Sequence, residues 1–116
     1  MSDLHDVAGT MLAKALTSSA GRGAEQVVHD GPLRQTVMAL RAGTELAEHE
    51  APPAATLQLL RGRVRVLKRG QLAEELTPGE LLSLTGSRHT VEAVEDSVFL
   101  LTTVSGLPGD TNPRVV

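Results

Sequence analysis

The chain has 116 residues, enough for one domain with one core and too few for two. Its formal charge of −3 comes from interspersed acids and bases, so no global field favours nucleic acid or an anionic membrane. The absence of cysteine excludes disulfides, thiolate nucleophiles and thiolate metal sites, and Phe99 as the single aromatic disfavours stacking on bases, flavins or sugars.

The N-terminal stretch lacks the cationic flank and continuous apolar run of a signal peptide, and no segment approaches the roughly 20 apolar residues of a membrane span. A cytoplasmic protein without a membrane partner is the expectation. Leu4, Val7, Ala8, Met11, Leu12, Ala15 and Leu16 recur at helical spacing and predict one amphipathic helix. Ser2 or Asp3 can cap it, and Ser18, Ser19, Ala20, Gly21 and Gly23 stop it. Gly9 weakens it by about 1 kcal/mol relative to Ala, so docking must stabilise it. With Lys14 its only Lys or Arg, its face suits packing better than membrane recruitment.

Short β-type runs come next: Glu25 to His29, Gln35 to Arg41, Glu45 to Glu50, Ala55 to Leu60, Arg63 to Lys68, Gln71 to Leu76, Glu80 to Thr85, His89 to Val94 and Ser97 to Val104. Turn residues separate them, among them Asp30-Gly31-Pro32, Ala42-Gly43, Pro52-Pro53, Arg61-Gly62, Arg69-Gly70, Pro78-Gly79 and Gly86-Ser87. This is the pattern of an all-β sandwich or barrel. Residues 1–24 then form the helix and a linker, 25–105 the barrel, and 106–116 a tail without periodicity. In Arg63 to Val66 the valines face one way and the arginines the other, whereas Gln35 to Arg41 and Ser97 to Val104 are apolar on both faces. The helix can cover one outer face and a second copy of the chain another, which predicts a homodimer.

The residues with metal-ligand chemistry are His49 and His89, on separate strands, whose neutral imidazoles would converge if both point into one barrel. Gly43, five residues, His49 and a closing Gly62 match the first motif of a known family, and Pro78-Gly79, the strand Glu80 to Leu84 and His89 match its second. Over about residues 33–104 the sequence resembles the cupin superfamily, which implies a double-stranded β-helix, or jelly-roll barrel, here preceded by one α-helix. The family's second His position falls on Ala51 and its Glu position on Ala55, so two expected ligands of that motif are missing. A metal held by His49 and His89 would need Gln58, Glu45, His29, water or substrate to complete its shell.

Other polar groups have simpler readings. Arg61, Arg63, Arg65, Lys68 and Arg69 form a basic strip that reads as a solvated face discouraging edge-to-edge pairing rather than as a nucleic-acid site. Arg88, beside His89, could orient an anionic substrate at a barrel mouth. Ser87 or Thr85 with His89 lacks an acid to orient the imidazole, which argues against triad chemistry. The expected role is binding of a small organic molecule by His49, His89, Arg88 and Gln58, with an optional divalent metal. The alternative is a Zn, Fe, Mn or Ni enzyme acting on a carbonyl or carboxylate substrate. A structural or interaction module is the third reading, expected if Met38, Leu57, Leu59, Val64, Val66 and Phe99 fill the interior and leave no cavity.

Overall fold

A computed structural model describes residues 1–49, 54–84 and 88–105, with the side chains of 47–49 outside that description. The predicted breaks at Pro52-Pro53 and Gly86-Ser87, and the tail, also lie outside the described residues. Helix α1 spans Leu4–Thr17 and is capped by Asp3, whose Oδ1 accepts from the backbone N–H groups of His5 and Asp6 at 2.9 and 3.4 Å. Asp6 in its first turn and Lys14 in its last match the helix dipole. Ala8, Met11 and Ala15 are buried, with Leu4, Val7 and Leu12 packed beside them. Leu16 departs from the expected stripe and is exposed, because it sits about 100° round the helix from Ala15. Among the described residues no helix is long and apolar enough to cross a membrane.

Among the described residues nine strands succeed the helix: β1 (Arg22–Asp30), β2 (Leu33–Leu40), β3 (Glu45–His49), β4 (Ala54–Arg61), β5 (Val64–Lys68), β6 (Gln71–Leu76), β7 (Leu81–Ser83), β8 (His89–Ala93) and β9 (Ser97–Val104). They form a five-stranded sheet ordered β1-β2-β9-β4-β7 and a four-stranded sheet ordered β3-β8-β5-β6, with antiparallel pairing throughout. Inward residues of both sheets share one core, including Met38, Leu57, Leu59, Val64, Val66 and Phe99. This is the jelly-roll architecture expected from the strand spacing.

The two strands that are apolar on both faces find their second cover within the chain. Met38, Leu40, Phe99 and Leu101 face the core between the sheets, while Val37, Ala39, Val98 and Leu100 pack under α1. These strands therefore need no second copy to hide them. Strand β1 begins at Arg22, three residues before the predicted Glu25, because the ladder to β2 recruits Arg22, Gly23 and Ala24 despite their weak β propensity. Gly23 admits α1 closely, since a Cβ there would meet the Met11 carbonyl oxygen at 2.7 Å.

Strand β5 has paired neighbours on both sides, β8 and β6, so its Arg65 does not guard a free edge. Arg65 instead pairs across to Glu75, with Nε donating to Oε1 at 2.9 Å, and Arg63 lies 3.8 Å from Glu95. Two members of the strip thus form ion pairs on the solvent face, the Arg65 pair across strands. Gly62, at φ +86°, joins β4 to β5 beneath Asp96 and Ser97, and the Ser97 hydroxyl there bonds both the N–H and the carbonyl of Arg63.

Candidate active site in the barrel interior

Chain direction defines two ends of the interior. At the end where β4 runs into β5, Leu40, Phe99, Leu59, Val64 and Ala93 are fully or almost fully buried. This end is packed aliphatic and aromatic core. The end where β3 leads toward β4 and β8 begins has a different chemistry.

There, β3 and β8 place position 49 directly opposite His89. The register contains an irregularity: Leu46 faces Val91, yet three residues on, His49 faces His89, only two residues from Val91. A bulge of this kind inserts one extra residue and reverses the parity of the residues beyond it. His89 is buried at 9% exposure and alternates with Val91 and Ala93 on the inner face. The His49 side chain lies outside the described residues, and its backbone position is what the register fixes.

Glu45, expected to share a face with His49 by simple alternation, instead pairs with Glu92 and is exposed, because the bulge separates the two parities. Gln58 lies on the face of β4 opposite Leu57 and Leu59, away from the interior, where its Nε2 reaches the Gly79 carbonyl at 3.5 Å. His29 is exposed on β1, opposite Arg34, at the outer edge of the five-stranded sheet, and His5 is exposed on α1. Arg88 is exposed just before β8. Of the expected site residues, positions 49 and 89 are the two brought together.

The structure adds residues that motif matching does not find. In β2 the inward parity of Met38 and Leu40 continues back through Thr36 to Arg34, and in β9 the inward parity of Phe99 and Leu101 continues to Thr103. Cross-strand register sets Arg34, Thr103 and Ala55 in one row and Thr36, Leu101 and Leu57 in the next. Because Ala55 opens β4 just after the segment leaving His49, these rows lie at the same end as His89. Thr36 and Thr103 are 1% and 2% exposed, and both hydroxyls lack a hydrogen-bond partner. Half-buried Arg34 donates from Nη1 to the Ser105 hydroxyl at 2.9 Å, while its buried Nε has no partner. A clue was present in the sequence: Arg34 and Thr36 sit on the alternation of the apolar Met38 and Leu40.

Ala55, at the family's Glu position, is buried in this interior row, so the missing carboxylate is a real subtraction from the donor set. Among the described residues no three His, Asp or Glu side chains are grouped to hold a metal ion. A guanidinium at the same end further opposes a cation. Beside the imidazole of His89, the described inward polar side chains at this end supply hydroxyls and a guanidinium, which are poor ligands for a divalent metal.

Neither a protein-family model nor a curated protein sequence matches the chain. Solved structures do. A conserved protein of unknown function from Streptococcus pyogenes superposes with a TM-score of 0.67 at 23% identity, over 78% of this chain and 79% of that one. A cupin-2 domain containing protein from Shewanella frigidimarina gives 0.66 at 14% identity, over 90% and 94%. The chain has the cupin fold. Salicylate 1,2-dioxygenase from Pseudaminobacter salicylatoxidans matches at 0.71 and 17% identity over 85% of this chain, which spans 33% of the dioxygenase. Within this cupin fold, identities this low carry the architecture and leave the chemistry to the residues themselves.

Proposed function

We propose that this cupin-fold chain binds a small organic molecule inside its barrel, at the end where position 49 faces His89. The observation that carries the reading is position 49 opposite the buried His89, at the end of the interior that also holds Arg34, Thr36 and Thr103, while the other end is packed core. Ligand sites of this kind combine an apolar wall with a few convergent polar groups. Here Leu57, Leu82, Leu84 and Val91 supply the wall. An imidazole nitrogen can donate or accept, so His89 can contact a bound hydroxyl, carbonyl or carboxylate without a metal.

The reading predicts metal-free protein whose melting temperature rises with ligand, since binding to the folded state alone stabilises it by RT ln(1 + [L]/Kd). Screening small organic molecules by thermal shift, with elemental analysis of protein purified without a His tag, tests it. Near-stoichiometric metal that is lost in His89→Ala would instead favour the enzyme. The same reading has the chain acting as a homodimer in the cytoplasm, and light scattering that returns a monomer mass at working concentration would remove the dimer.

A further inference from the structure

We propose that the molecule held in the barrel carries a carboxylate, anchored by Arg34 together with the hydroxyls of Thr36 and Thr103. The inference rests on the binding role just described and names the chemical class it takes. Three polar atoms at one end of the interior, Arg34 Nε, Thr36 Oγ1 and Thr103 Oγ1, are buried without hydrogen-bond partners. Leaving one such group unsatisfied is costly, and natural cores rarely do it. Three of them in two adjacent rows of one sheet face indicate a common partner from outside the chain.

The charge of that partner is set by Arg34. No acid forms an ion pair with it among the described residues, where the salt bridges are Arg63 with Glu95 and Arg65 with Glu75. Its orientation is already fixed by the bond to Ser105, whose own N–H is tied to the Pro32 carbonyl at 2.9 Å. A planar guanidinium held this way presents Nε–H to one oxygen of a flat oxyanion, and two hydroxyls can donate to the other. One guanidinium matches the single charge of a carboxylate, whereas a phosphate dianion would call for more cations. Leu57, Leu82, Leu84 and Leu101 surround this end, so the body of the ligand is small and aliphatic.

The test is a titration of the full chain with a panel of monocarboxylates from acetate to isovalerate and benzoate, each against its primary amide, followed by NMR. Carboxylates are expected to shift the Arg34 Nε–H and the Thr36 and Thr103 methyl signals, and to bind at least about tenfold more tightly than the amides. Arg34→Gln should lose about that factor. Thr36→Val and Thr103→Val should also weaken binding while raising the melting temperature of the ligand-free protein. A purely structural hydroxyl would lower it instead, and the two Val variants keep the test available if Arg34→Gln folds poorly. Equal binding of acid and amide, with His89 shifting and Arg34 silent, overturns the carboxylate and leaves the binding role standing. A panel that moves no interior signal overturns both.

Discussion

Glu80 shows how one side chain fixes a turn. Its Oε1 accepts from the Thr77 N–H at 2.7 Å and the Thr77 hydroxyl at 2.8 Å, across a turn with Pro78 second and Gly79, at φ +93°, third. These bonds, the backbone one first, hold the Glu80 carboxyl below its ordinary value. A lowered folded-state pKa contributes stability above the unfolded value of about 4.3 that is lost as pH falls through the folded one. Glu80→Gln should therefore melt below the parent near neutrality, with a gap that narrows as pH falls below the unfolded value, which thermal melts across pH would show; a constant gap would contradict the assignment. Arg69 offers a second residue-scale test. It stands at φ 54° before Gly70 at φ 75°, the paired left-handed conformation of a two-residue hairpin turn. Arg69→Gly should relieve the Cβ conflict and stabilise by about 1 kcal/mol in denaturant unfolding.

At the scale of elements, the docking of α1 depends on Gly23 more than on helix propensity. A Cβ at position 23 would crowd both the Met11 carbonyl and the Lys14 side chain, so Gly23→Val should cost about 1 to 3 kcal/mol while leaving the helix itself intact. Denaturant titration measures the loss. Most strands were legible because turn chemistry and alternation agree: Gly43, Gly62 and Gly79 all take positive φ, which is why glycine spacing carried the fold. Position 23 was less legible, since a glycine inside a strand looks like a break until the helix above it is known. The bulge in β3 was invisible for a related reason. Nothing in Glu45 to His49 announces an extra residue, yet that residue sets position 49 opposite His89.

Taken whole, the molecule divides its interior between a dry end around Phe99 and Val64 and a polar end around Arg34, Thr36, Thr103 and His89. His89 could be picked out because histidine is scarce and it follows a Pro-Gly turn and a strand. Arg34 and the two threonines could not, because their meaning comes from register between β2, β9 and β4, distant in sequence. Their unsatisfied groups weaken the ligand-free protein in the manner common to sites that trade stability for function. The most direct measurement is a long-range proton–nitrogen spectrum of the four histidine side chains during a titration with isovalerate. The account predicts that His89 moves while exposed His5 and His29 stay in place. If His89 stays unmoved, or all four drift together, the barrel interior is not the binding site.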